Sequence, residues 1–271
     1  IQKVNKKDLV NCEDIKPKQL FFSENEQRQL SMVCDSLMEE NYRTLTERLE
    51  SKGLSKGIAV LLYGAPGTGK TESVMQWARQ SGRDIVHVDL SASKSMWYGE
   101  SEKIVKDIFT RYRQQCKRSK IKPILLFNEA DGLFSKRKDM SRGSSVDQTE
   151  NTIQNILLEE MEKLDGILIA TTNLEENLDK AFERRFLFKI HLDKPGVEAK
   201  KNIWQDKLPI LSAEQAHKLA SDFDFSGGEI DNIVRKTTMQ EVLEGGVPTM
   251  ESIVKLCSQE KVCTKNNRIG F

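Results

Sequence analysis

The chain is poor in the features that mark extracellular, membrane-spanning or nucleic-acid-coating proteins. Five cysteines (Cys12, Cys34, Cys116, Cys257 and Cys263) are scattered through 271 residues. An odd, scattered set suits neither a disulfide framework nor a four-ligand zinc site. The three histidines, His87, His191 and His217, stand far apart in sequence and far from any cysteine. No apolar run exceeds Ile58–Tyr63, well short of the ~20 residues of a spanning helix. Lys and Arg number 42 against 41 Asp and Glu, a net charge of +1, so no broad positive field exists to hold nucleic acid. Repeats and long low-complexity tracts are absent. The opening Ile1-Gln2-Lys3-Val4 carries neither an initiator Met nor an apolar leader. A fragment of a longer protein, working in a reducing, cytoplasmic compartment, is the expectation.

What remains is ordinary globular composition, 38% hydrophobic and 31% charged. At about 150 residues per domain the length allows one large domain or two small ones. Glu24–Leu49 carries Leu30, Val33, Leu37, Met38, Leu45 and Leu49 near a helical period. It reads as a helical lead-in within 1–56, closed by Gly53 and Gly57. From 57 to 193 the period alternates. Strands are expected at Ile58–Tyr63, Ile85–Leu90, Ile124–Phe127, Gly166–Thr172 and Phe186–Leu192, with helices at Thr71–Gln80, Ser101–Lys117 and Thr149–Leu164. Met140–Gln148 reads as a polar loop. Short strands apolar on both faces, alternating with helices, call for a parallel sheet covered on both sides. After Pro195 only helices follow, at Ala199–Lys207, Ser212–Phe223, Gly228–Leu243 and Thr249–Glu260, making 194–271 a small all-helical domain.

The sharpest signal is Gly64-Ala65-Pro66-Gly67-Thr68-Gly69-Lys70-Thr71, which fills G-x-x-x-x-G-K-[ST] between a strand and a helix. Glycines let backbone N–H groups wrap a phosphate without side-chain clashes, and the helix that follows turns its positive end to the same charge. Lys70 would reach the β- and γ-phosphates, and the Thr71 hydroxyl would ligate Mg²⁺.

Three further strand and helix ends carry polar groups. Ile124-Leu125-Leu126-Phe127 runs into Asn128-Glu129-Ala130-Asp131. Sheets of this class place their chemistry at such carboxyl ends. Asn128 stands where an acidic residue would steady the Mg²⁺ shell, so it acts through a metal-bound water without charge. Glu129 supplies a carboxylate to activate water, with Asp131 as the alternative base. Ile169-Ala170-Thr171-Thr172 ends at Asn173, a γ-phosphate or water ligand, or simply a turn residue. Leu178–Phe186 holds Arg184-Arg185, a pair that either caps a helix end in solvent or stabilises a phosphoryl transition state.

In this order the motifs resemble the AAA family of ATPases from about Leu20 to about Glu260: Walker A at Gly64–Thr71, Walker B at Ile124–Asp131, sensor 1 at Asn173 and the arginine finger at Arg184 or Arg185. Phe225-Ser226-Gly227-Gly228-Glu229-Ile230 resembles the sensor 2 region, with Gly228 near the adenine, and Ile203-Trp204 fits the opening helix of the lid. The resemblance implies an α/β core with five parallel strands in the order 5-1-4-3-2, followed by a helical lid. It implies ATP bound by Gly64, Ala65, Pro66, Gly67, Thr68, Gly69, Lys70, Thr71, Glu72 and Gly228. It also implies Mg²⁺ at Thr71 and, through water, Asn128. Catalysis falls to Glu129, Asn173 and an arginine serving the neighbour's nucleotide.

Trp97-Tyr98-Gly99-Glu100-Ser101-Glu102 is similar to the pore loop of AAA unfoldases, with Trp97 and Tyr98 gripping a polypeptide; packing against the sheet edge is the alternative. The reading that follows is a Mg²⁺-dependent ATPase, a homo-oligomeric, hexameric ring that remodels protein. A DNA-remodelling or loader ATPase is the runner-up, with Lys117–Lys122 and Lys136–Lys138 as its basic segments. A slow nucleotide switch is the third reading, suggested by Asn128. Neither a membrane nor nucleic acid is an expected partner.

Overall fold

The computed structural model describes residues 9–89, 97–134, 145–174 and 178–266, and of these the side chains at 89, 97–102, 145–150 and 262–266 are left undescribed. The chain divides into two compact units. Ile1–Lys18, Arg28–Ala65 and Lys70–Leu192 form the first; Gln19–Gln27, Pro66–Gly69 and Asp193–Phe271 form the second. In chain order the elements are β1 (Leu9–Val10), α1 (Glu24–Leu37), α2 (Glu39–Ser51), β2 (Ile58–Tyr63), α3 (Lys70–Ser81), β3 (Ile85–Asp89), α4 (Trp97–Arg118), β4 (Ile124–Asn128) and α5 (Asp131–Phe134). There follow α6 (Ser145–Glu162), β5 (Ile167–Thr172), α7 (Lys180–Glu183), β6 (Phe188–His191), α8 (Val197–Lys207), α9 (Ala213–Asp222), α10 (Gly227–Glu244) and α11 (Met250–Asn266).

The first unit is built on a sheet of order β1-β3-β4-β5-β2-β6. The five strands read from the sequence lie side by side in the expected order, all parallel. The difference is an added edge: β1 pairs antiparallel with β3, Leu9 opposite Val86. A two-residue strand carries no alternation, so no pattern announces it. β2, β4 and β5 are buried almost throughout, as a sheet covered on both faces demands. One side packs Phe109, Tyr112, Phe127, Phe134, Leu157 and Phe182 into a continuous core. Each such side chain contributes ~1.5–3 kcal/mol by leaving water. Tyr112 also ties the sheet's lower edge, donating to the Pro123 carbonyl at 2.9 Å and accepting from the Ile167 N–H at 2.7 Å.

Three further departures have physical causes or new boundaries. The helical lead-in is two helices, broken at Met38, whose ψ is 136°. Arg83, fully buried, donates Nε to the Leu37 carbonyl at 2.7 Å and pairs with Glu39 at 2.7 Å, so α1 ends on a long-range contact. The region of Trp97, expected as a loop, is already helical, because α4 begins at Trp97. Likewise α6 begins at Ser145, inside the stretch expected as a polar loop, while 140–144 lie outside the described residues.

The second unit holds the four C-terminal helices, three close to their expected bounds and α11 running six residues past Glu260. Trp204, Leu219, Phe225, Ile230, Ile233 and Ile253 form its core, and Phe223 stacks on Phe225 at 5.3 Å. Capping boxes start α9 (Ser212 with Gln215) and α10 (Ser226 with Glu229), satisfying orphan N–H groups at the N-terminus of each helix.

Candidate functional site

β2 runs into the glycine loop and the loop into α3, whose first residue is Lys70. Gly64, Gly67 and Gly69 have φ of 133°, 75° and 93°, a backbone that residues with a Cβ rarely adopt. At Gly64 a Cβ would stand 2.2 Å from the Leu192 carbonyl oxygen. In the first unit, Lys70 is 7% exposed and its Nζ donates to the Gly64 and Ala65 carbonyls, both at 2.7 Å. The ammonium is thus folded back over the start of the loop, at the N-terminus of a twelve-residue helix. Positive charge and helix dipole converge there.

The carboxyl ends of β4 and β5 meet the same loop. Thr71 Oγ1 donates to Asn128 Oδ1 at 2.7 Å, and Thr171 Oγ1 donates to the same oxygen at 2.9 Å. Glu129 follows with a positive φ of 52°, its N–H donating to Thr171 Oγ1 at 3.1 Å. Asp131 is committed elsewhere. Its Oδ1 accepts from Thr172 Oγ1 at 2.5 Å and from the Asn173 N–H at 2.7 Å, which fixes Asn173 beside the end of β4. The structure therefore joins Thr71, Asn128 and the Glu129 backbone through Thr171, and ties Asp131 to Thr172 and Asn173 at the end of the neighbouring strand. Nothing in the spacing marked Thr171 for a role; only the adjacency of β4 and β5 reveals it.

In the second unit, Pro66–Gly69 lies against the start of α10. The Gly228 N–H donates to the Gly67 carbonyl at 3.1 Å, and a Cβ at Gly228 would be 3.2 Å from Gly67 Cα. Phe22 packs beside Gly69, its ring 3.4 Å from where a Cβ would stand.

Other expected residues are placed apart. The Glu72 carboxylate accepts from Lys18 Nζ at 3.1 Å and from Gln76 Nε2 at 2.9 Å, strapping the N-terminal segment to α3. Arg184 and Arg185 close α7; Arg185 is ion-paired with Glu162, and Arg184 is exposed. Trp97 and Tyr98 open α4, and their side chains lie outside the described residues, as do Lys136–Lys138. Burial pushes the Cys34 thiol up to about 11 and the Cys257 thiol up to about 12, so neither is a nucleophile near neutrality. Among the described residues no group of three His, Cys, Asp or Glu could hold a metal, and no helix is long and apolar enough to cross a membrane.

The donor set fits Mg²⁺ in kind. Thr71 Oγ1 and Asn128 Oδ1 are hard oxygens held 2.7 Å apart. Both are neutral, so neither would offset the charge of the ion.

A mostly parallel sheet in this order, whose strand β2, between β5 and β6, enters a glycine loop and a helix headed by Lys and Thr, defines a P-loop nucleotide-binding protein. The model of the ATPase family associated with various cellular activities (AAA) matches residues 60–194, and the chain belongs to this AAA family. It is 30% identical over 203 residues to human fidgetin-like protein 1, covering 69% of this chain and 28% of that protein. It is 30% identical over 193 residues to vacuolar protein sorting-associated protein 4 of Dictyostelium discoideum, with 68% and 41% covered. Protein CdcH of Halobacterium salinarum is 29% identical over 202 residues, with 72% and 26% covered. The chain thus spans less than half the length of these relatives.

Proposed function

We propose that this chain binds ATP with Mg²⁺ and hydrolyses the β–γ phosphoanhydride bond. The observation that carries the reading is the single Asn128 oxygen shared by Thr71 and Thr171, which joins the phosphate loop to the strand ends bearing Glu129 and Asn173. Lys70 and the loop N–H groups hold the phosphates. Thr71 and, through water, Asn128 hold Mg²⁺, which when bound offsets the phosphate charge. The Glu129 carboxylate takes a proton from the attacking water, and Asn173 orients that water or the γ-phosphate. A guanidinium from a neighbouring copy serves the transition state, so the active form is a homo-oligomer, read here as a hexameric ring.

The likeness of Trp97–Glu102 to an unfoldase pore loop supports a polypeptide substrate gripped by Trp97 and Tyr98, and a protein-remodelling role in the cytoplasm. The DNA-loader reading has less support, since Lys122 of its basic segment is paired with Asp165 at 2.7 Å. The slow-switch reading has one observation in its favour, the neutral oxygen pair at Thr71 and Asn128.

Two variants test the proposal. Lys70→Ala removes the buried cation and should abolish ATP binding measured by equilibrium titration; unchanged affinity would sink the site. Glu129→Gln should keep ATP affinity while hydrolysis falls ~10²-fold or more.

A further inference from the structure

Glu129 is the one non-glycine residue among those described with a positive φ. A left-handed backbone costs ~1–2 kcal/mol for a residue with a Cβ, so it persists only where its surroundings over-determine it. Thr171 supplies the restraint twice. Its hydroxyl accepts the Glu129 N–H at 3.1 Å, and its carbonyl accepts the Ala130 N–H at 2.9 Å, so the amides on both sides of the strained residue hang on one threonine.

The hydroxyl's own proton goes to Asn128 Oδ1 at 2.9 Å. A hydroxyl has one donor, so this bond turns its lone pairs toward Glu129. Thr171 is 1% exposed, and water does not compete for these bonds. Among the described residues no group bonds the Glu129 carboxylate, whose residue is exposed. The backbone at Glu129 therefore sets the Cα–Cβ direction from which the carboxylate extends.

We infer that Thr171 is a positioning residue for Glu129: its hydroxyl, fixed by Asn128, holds the left-handed turn that aims the carboxylate. The inference rests on the reading of Glu129 as the base that activates water. It goes beyond that reading by assigning a function to a β5 side chain that would touch neither nucleotide nor water. It also gives Asn128 a second task, since an amide oxygen accepting two hydroxyls orders both the loop and the base.

ATP affinity and turnover of the whole chain, at saturating Mg²⁺, test it. Thr171→Val keeps the volume and removes the hydroxyl, leaving the Glu129 N–H without its partner. The expected result is a kcat lower by about tenfold, with directly measured ATP affinity within about twofold of wild type. Thr171→Ser should restore most of the rate. In a Glu129→Gln background, adding Thr171→Val should cost nothing more, because the group being positioned is gone.

Wild-type kcat in Thr171→Val, beside an inactive Glu129→Gln, overturns the inference and leaves the base assignment standing. Full turnover in Glu129→Gln removes the base assignment, and this inference with it. If Thr171→Val does not fold, Thr171→Ala and Thr171→Ser, which both lack the methyl, isolate the hydroxyl. Serine should then exceed alanine by about tenfold in kcat at equal ATP affinity; equal rates overturn the proposal.

Discussion

The Arg185 guanidinium is held by the Glu162 carboxylate near the end of α6, while its neighbour Arg184 is exposed. The two arginines are adjacent in sequence and alike in chemistry, yet among the described residues only Arg185 carries a local counter-charge. Glu162 is half-exposed, so the pair itself contributes little to stability. Its effect is on direction, because an arginine engaged within its own chain must give up that bond before serving another.

On the proposed shared site, Arg184→Ala should therefore depress hydrolysis more than Arg185→Ala, with ATP binding intact in both. Mixing decides whether the residue acts in trans. Arg184→Ala subunits bring intact phosphate loops, and Lys70→Ala subunits bring an intact Arg184. Mixtures shown to co-assemble should regain activity that neither variant has alone. No recovery would count against a site shared between copies.

The parts that could be read from the sequence were those whose signal is local. The strand ending at Tyr63, the glycine loop and Lys70 are contiguous, and steric need alone dictates glycine at Gly64 and Gly69. The second unit's helices were legible because their caps and apolar positions fall within single turns, as at Ser226 and Glu229. What escaped was non-local. The break at Met38 is imposed by Arg83, 46 positions after Leu37. The role of Thr171 depends on β4 lying beside β5 and on one backbone angle at Glu129. The pairing of Arg185 depends on where α6 ends.

Arg83 should dominate the stability of the first unit. Nε, Nη1 and Nη2 donate to the Leu37 carbonyl, the Lys122 carbonyl and Glu39, each at 2.7 Å, and the guanidinium lies 4.6 Å from the Tyr42 ring centre. Arg83→Ala orphans two backbone carbonyls and opens a cavity beneath α1 and α2. The expected loss is about 2–4 kcal/mol in denaturant unfolding. Glu39 is half-exposed, so Glu39→Gln should cost under ~1 kcal/mol. Equal losses in the two variants would show that the ion pair, not the carbonyl bonds, matters.

Asn128 is where charge can be restored with little structural change. An Asp in its place would accept the same two hydroxyls, from Thr71 and Thr171, so the geometry at the end of β4 should persist. Its added negative charge would face Mg²⁺ through one layer of water. Screened through that water, at a dielectric close to that of bulk water, the attraction is worth ~1–2 kcal/mol. Asn128→Asp should then lower the Mg²⁺ concentration for half-maximal turnover by about 5- to 30-fold. ATP binding without metal should hold or weaken, because the new charge repels the phosphates. Hydrolysis titrated against Mg²⁺ in both forms checks this. Superimposable curves would mean that the amide is electrostatically silent and that the charge at this position does not bear on Mg²⁺.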